Sequence, residues 1–314
     1  MTARPHDALF KSAFEAPADA TALLCELLPS ALREMISWDT LERETGSFVD
    51  TALADRHSDL LFSARLKTGD PALLYLLLEH QSTSDPAMPL RMLSYQIRIW
   101  DRFRKEQPAA WLPPVIAVLV SHVPGGWTSP RSLEDLFDPS MMAIPGLAAL
   151  IPRFSMLIED LARLSNDELK GRSLAEFQKL ALWLLRDARD PARLLESFGV
   201  WSVAMAQAAR SPAGIGSFST LLAYMFRVVD PVYLDQLRAR LVQLGNEAEA
   251  ATMTIADQFH EEGRIAALCR QLTLKFKALD ASYEARVRGA TPKQIDRYIE
   301  RVLTADSLAA VFED

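Results

Sequence analysis

The chain has 314 residues, 49% hydrophobic and 24% charged, which suits two ordinary domains and excludes a disordered polymer. Its formal net charge of −7 offers no general positive field to nucleic acid or to an anionic membrane. Binding to DNA would therefore call for a local basic patch and a metal ion. The opening "MTARPHDALFKSAFEAP" lacks the apolar core of a signal peptide, and no apolar run approaches the ~20 residues that span a bilayer, so a cytoplasmic protein is expected. Cys25 and Cys269, the two cysteines, each sit in an apolar stretch and read as packing residues in a reducing compartment.

Apolar spacing from Asp7 to Phe14 predicts a short helix. "ADATALLCELLPSALREMI" predicts a second helical region, broken near Pro29. The period then changes. Residues 46–54, 58–66 and 71–81 are expected strands, with "KTGDP" as the turn between the last two. Residues 85–108 return to helical spacing, with Met88, Met92, Tyr95, Ile99 and Phe103 on one face. "PPVIAVLV" (113–120) predicts a buried strand, and "VPGGW" (123–127), which no P-loop lysine follows, predicts a turn. Residues 154–164 fit either strand or helix. "SNDE" (165–168), "SLAE" (173–176) and "TPKQ" (291–294) match the capping-box pattern of a helix start. The expected domains are 1–165, a helical extension over 166–250, and a small helical domain over 251–314, with a loose boundary at 245–260.

The stretch "YLLLEHQS" (75–82) drives an apolar strand into Glu79, His80 and Gln81. With a three-residue loop at 68–70, Lys67 pairs with Pro71 and Asp59 faces Glu79. Directly opposed side chains lie roughly 4.5–5.5 Å apart at Cβ. Glu79 and Gln81 then share one face and His80 takes the other. Two facing carboxylates repel each other and resist desolvation. A protonated carboxyl, an intervening Arg or Lys, or a divalent cation held by both would each relieve this. A salt-bridged strand end stands beside the metal reading. Hard cations such as Mg²⁺ are commonly held by one or two carboxylates, and Gln81 could orient a water.

"HDALFKSAF", "SFVDTALADRHSDLLF", "YLLLEHQSTSDPAMPLRMLSYQIRIW" and "PPVIAVLVSHVPGGW", in this order, resemble the recombination-promoting nuclease and putative transposase family, of the PD-(D/E)xK nuclease superfamily. The resemblance covers about residues 5–165. The tail from "LTLKFKALDASYEARVRGATPKQ" onward resembles a C-terminal domain of unknown function that often accompanies this nuclease. It implies an α/β, restriction-endonuclease-like mixed sheet flanked by helices, followed by a mostly helical C-terminal region. It also implies metal-dependent cleavage of double-stranded DNA linked to recombination. Asp59 and Glu79 match the two acidic positions and would hold Mg²⁺ or another divalent cation. The His80 backbone carbonyl and Asp7, or Glu15, are further candidate ligands. Gln81 stands where the superfamily most often has lysine, and an amide has no useful pKa for a general base.

Arg91, Arg98, Arg102 and Lys105 form one stripe of the 85–108 helix, a candidate phosphate contact or simply a solvated face paired to Asp101 and Glu106. Residues 1–150 carry 13 Lys/Arg and 19 Asp/Glu, so DNA binding would be weak without metal. Among His6, His57, His80, His122 and His260 no zinc spacing occurs, and His80 reads as a packed core residue. The absence of Walker and G-x-S-x-G motifs disfavours nucleotide and serine-hydrolase chemistry. The leading reading is a DNA endonuclease, with a homodimer as a candidate assembly. The alternatives are a weak or inactive nuclease-like DNA-binding protein and a helical protein-interaction module.

Overall fold

In the computed structural model, which describes residues 5–44, 60–67, 73–210, 215–277 and 279–313, chain folding begins with helix α1 (Pro5–Phe14). It buries Leu9, Phe10, Ala13 and Phe14 at helical spacing. Helix α2 (Pro17–Leu27) starts on a proline, and α3 (Ser30–Met35) follows Pro29, where the break was expected. Strand β1 (Ile36–Arg43) comes next and was not foreseen from sequence. Its pairing with β2 shifts register between Ser37 and Glu42, so only Ile36 and Leu41 are buried and the period-two signal is lost. Thr40 Oγ1 holds the irregular stretch by donating to the Ser37 carbonyl and accepting from Arg65 N. The strand expected at 46–54 and the turn residues 68–70 lie outside the described residues.

Strands β2 (Leu60–Leu66) and β3 (Leu73–Gln81) pair antiparallel from Leu60↔Leu78 to Arg65↔Leu73, the register a three-residue turn gives. Strand β4 (Val115–Ser121) joins β3 in parallel, and β5 (Leu157–Asp160) joins β4 in parallel. The five described strands thus run β1-β2-β3-β4-β5 in one mixed sheet. A parallel β3–β4 pair needs a crossover, and α4 (Met88–Glu106) supplies it. Its predicted stripe, Met88, Met92, Tyr95, Ile99 and Phe103, is buried against Leu61, Ala117 and Leu119 of the sheet. Buried Gln96 donates to the Val115 carbonyl at 2.8 Å and Trp100 to the Pro113 carbonyl at 2.8 Å, which fixes the entry to β4.

The ambiguous 154–164 stretch holds both β5 and a 3-10 turn at Leu161–Arg163. In the "VPGGW" turn, Gly125 and Gly126 have φ of 81° and 95°. A Cβ on Gly126 would come within 3.0 Å of Asp160 Oδ2, so this turn packs closely on the end of β5. Helix α5 (Pro139–Met142) is a single turn in the long β4–β5 connection. Ser165 and Glu168 close the predicted capping box on α6 (Asn166–Lys170). The second predicted box fails: α7 (Glu176–Asp187) begins two residues later than expected, with Ala175 at its N-cap. Ser173 instead donates its backbone N–H to Glu26 Oε1 on α2.

Helix α7 is buried all round from Leu180 to Leu185. It packs over α1 together with α9 (Ile215–Val228), and α8 (Pro191–Arg210) packs against both α7 and α9. The chain divides into two compact units, Met1–Arg240 and Leu241–Asp314. Residues 166–240 therefore group with the sheet, where the sequence suggested a separate extension. α10 (Leu234–Val242) crosses the division. In the second unit, α11 (Asn246–Phe276) runs unbroken through the expected loose boundary. α12 (Ala281–Arg288), α13 (Pro292–Thr304) and α14 (Leu308–Val311) close a core with it around Leu268, Leu272, Ile295, Tyr298 and Phe312. The Thr291–Gln294 capping box on α13 forms as predicted. Both cysteines are free thiols and half-buried, and burial pushes their pKa values up. No helix among the described residues is long and apolar enough to cross a membrane.

Candidate functional site

The three parallel strands end at one edge of the sheet, where Gln81, Ser121 and Asp160 stand side by side in register. The antiparallel β2 begins at this edge. Crevices beyond the carboxyl ends of parallel strands are where open α/β sheets hold ligands. Glu79 occupies β3 beside Leu119, but its side chain, like the whole of Asp59, lies outside the described residues.

His80 is 3% exposed, as a core residue. Its ring sits 4.7 Å from Phe10 and 5.7 Å from His122, and its Nε2 is 3.0 Å from Asp7 Oδ1. His6, one residue before Asp7 on α1, lies 4.9 Å from the His122 ring and shares a 2.8 Å hydrogen bond through Nδ1 with the Tyr224 hydroxyl of α9. His122 is 2% exposed and donates its backbone N–H to the Gln81 carbonyl at 2.9 Å. Burial, with the Arg189 charge second, pushes His6 down from 6.5 to about 4, and burial, with the neighbouring His80 second, pushes His122 well below 6.5. Burial also pushes the Tyr224 phenol up. At neutral pH His6 and His122 are uncharged packing groups. Among the described residues no group of three or more His, Cys, Asp or Glu side chains is arranged to hold a metal ion.

This has a measurable consequence. Between pH 6.5 and about 4 the unfolded chain takes up a proton at His6 that the folded chain refuses. Stability is thus fully present above pH 6.5 and falls with pH through that window, by about 1–3 kcal/mol for this partly solvated ring. The drop in melting temperature from pH 7.5 to pH 5 should be smaller in His6→Asn than in wild type. An identical drop in the two proteins would show that His6 carries none of the effect.

Helices after residue 165 hold this edge. Arg189, just past α7, donates from Nη1 to the Ser82 carbonyl at 2.5 Å. Gln178 donates to the Ala13 carbonyl at 3.2 Å, and Arg172 pairs with Glu159 of β5. Within α7, Asp187 is fully buried. It accepts from Arg186 Nε and Nη2 at 2.7 Å each and from Ser197 Oγ at 3.0 Å, and it pairs with Arg193 at 2.9 Å.

Other sequence candidates fall as follows. Arg91 pairs with Asp85 at 2.9 Å and Arg102 with Glu106 at 2.8 Å. Arg98 is half-buried, with Nη1 out of reach of solvent, and Lys105 is exposed. The stripe is therefore only partly open to a ligand. Glu15 pairs with Arg43 of β1 at 2.8 Å. Asp7 is beside His80.

The family described as Putative transposase, YhgA-like, matches residues 4–210. The chain belongs to this family. Among curated proteins it is 28% identical to Recombination-promoting nuclease RpnD of Escherichia coli O157:H7, over 83% of this chain and 96% of that protein. It is 26% identical to Recombination-promoting nuclease RpnA of Escherichia coli K12, over 84% of this chain and 86% of that one. It is also 26% identical to Inactive recombination-promoting nuclease-like protein RpnE of the same strain, over 83% of each chain. No solved structure matches. The family match runs past residue 165, through α7, which packs on α1, and α8, which packs on α7.

Sequence reading did not find Arg189, Tyr224 or the Arg186–Asp187 pair. The one available signal is "RDARD" (186–190), a charged run that follows the unbroken apolar stretch Leu180–Leu185.

Proposed function

We propose that this member of the YhgA-like family is a metal-dependent DNA endonuclease acting in recombination, built on a restriction-endonuclease-like fold. The observation that carries this reading is the β2–β3 ladder, which reaches Leu60↔Leu78 at the carboxyl edge of β3–β5. One further pair in that register, were the ladder to continue, would set Asp59 opposite Glu79. The helix–strands–helix–strand order around a mixed sheet, and relatives named nucleases, also support it. Two hard carboxylates suit Mg²⁺ in kind, and no rival cluster of ligands occurs among the described residues. When bound, such a cation lowers the pKa of a water and polarises the scissile phosphate.

Asp59 and Glu79 would hold and orient that group. Gln81 would position the attacking water by hydrogen bonding, without removing its proton. Arg91, Arg98, Arg102 and Lys105 of α4 would add salt-dependent contacts to the phosphates of double-stranded DNA. Two free thiols fit a cytoplasmic setting. Cutting both strands would favour a homodimer. A second reading, a nuclease-like protein that binds DNA without cutting it, is favoured by Gln81 in the lysine place and by a relative named inactive. Supercoiled plasmid incubated with and without Mg²⁺ separates them. Metal-dependent nicking supports the nuclease, and a mobility shift without nicking supports the second.

A further inference from the structure

Cutting both strands favours two copies of the chain without saying which surface joins them. Helix α8 carries a face that the fold leaves open. The helix has 20 residues and buries Leu194, Phe198, Trp201 and Met205 on its inner side. On its outer side Val203 is 68% exposed and Val200 is 41% exposed. Glu196, Gly199, Gln207 and Arg210 are exposed as well. At about 100° per residue these six lie within about 60° of the Val203 direction, so they form one continuous strip. Between Glu196 and Arg210 no residue carries a charge. A helix face that meets only water is typically charged or polar, and this one carries exposed valines and no charge over roughly three and a half turns.

The strip is also symmetric in its charges. Glu196 lies seven residues before Val203 and Arg210 seven residues after it (203 − 196 = 7; 210 − 203 = 7). Each charge therefore stands about 10 Å from the centre along the axis, one on either side. In an antiparallel pair of α8 helices related by a two-fold axis beside Val203, residues equally far before and after it face each other. Glu196 then meets the partner's Arg210 at one end, and Arg210 meets the partner's Glu196 at the other. Val203 meets its own copy on the axis, and Gly199 faces the longer Gln207. A parallel pair would set Glu196 against Glu196. Beside Glu196 a hollow of about 470 Å³, lined also by Arg193 and Val200, leaves room for an incoming side chain. Arg193 itself is engaged with Asp187 at 2.9 Å.

We propose that the outer face of α8 is the contact between two copies of this chain, an antiparallel helix pair about a two-fold axis at Val203. Opposed charges at both ends fix direction and register, and the valines exclude water at the centre. One helix about 30 Å long offers less than a standard interface, so the dimer is reversible, with a Kd on the order of 10 μM. This contact does not depend on the nuclease reading.

Sedimentation equilibrium of the full chain from about 1 to about 300 μM tests it. The mass should climb from one chain towards two. Glu196→Arg and Arg210→Glu, each alone, set like charges together at both ends and should weaken association at least about tenfold. Mixed in equal amounts, these two variants should return to within about threefold of the wild-type Kd, because every end pair of the mixed dimer is again opposite in sign. Val203→Glu, on the axis, should abolish association over this range. Far-UV circular dichroism and melting temperature confirm folding, and Val203→Glu decides if a charge reversal near a helix end does not fold. Wild type that stays a monomer throughout would overturn the proposal and leave this face to another protein or to the chain's own second unit. So would a dimer that none of the three changes weakens, since its contact lies elsewhere. Weakening by the single reversals without recovery in the mixture would overturn it too, because Glu196 and Arg210 then do not face each other.

Discussion

Asp59→Ala is expected to cut Mg²⁺-dependent plasmid nicking by roughly 10³-fold or more, beyond the 10²–10³-fold loss usual for one preorganised polar group. On the proposed reading Asp59 would face Glu79 at a strand end, where a second carboxylate adds repulsion and no packing. Its removal would then relieve repulsion, and the melting temperature should hold or rise slightly. Glu79→Ala should behave alike, and chelation of the divalent cation should reproduce both. The pairing matters more than either residue. If the ladder did not continue past Leu60↔Leu78, Asp59→Ala would leave cleavage intact while Glu79→Ala abolished it. That split result would sink the carboxylate pair without touching the family assignment.

The second large effect is on stability. Asp187→Ala removes the carboxylate that receives Arg186 twice, Ser197 once and pairs with Arg193, in a position with no solvent. Arg186 is itself buried and keeps only the Leu164 carbonyl and Asn166 Oδ1 as partners. Breaking one side of a buried ion pair costs about 3–5 kcal/mol, because the other charge is left uncompensated. At ~2–4 °C per kcal/mol for a unit of this size, the melting temperature should fall by about 6–20 °C. Arg193→Ala is the control. Its side chain is 40% exposed, so its loss should cost ~1 kcal/mol or less. Equal losses in the two variants would mean that the whole network, and not the burial of Arg186, sets the cost. A shift under 2 °C for Asp187→Ala would refute the argument.

The α4 stripe and the β2–β3 register were legible because each rests on one local rule, a period of 3.6 and a loop of three. Strand β1 was not, because its register shift breaks the alternation that would announce it. Ser173 has the residue type of an N-cap, yet a tertiary contact with Glu26 decides where α7 begins. The polar lining of the site edge was hidden for a further reason. His6, His80, His122 and Tyr224 come from four elements, and no spacing along the chain brings them together. Arg189 and Asp187 look like a solvated helix end in sequence. Only the packing of α7 over α1 reveals that one is buried and the other reaches β3.

The tethers at the β3 edge also set an order of events during synthesis. The strand that ends in Gln81 leaves the ribosome long before Arg189 and Tyr224 exist to fasten Ser82 and His6. At about 5–20 residues per second, the wait from Gln81 to Tyr224 is roughly 7–30 s. For that interval a nascent chain carries this edge without its fastenings. A ribosome that stops before residue 189 thus releases a fragment whose sheet edge lacks both fastenings.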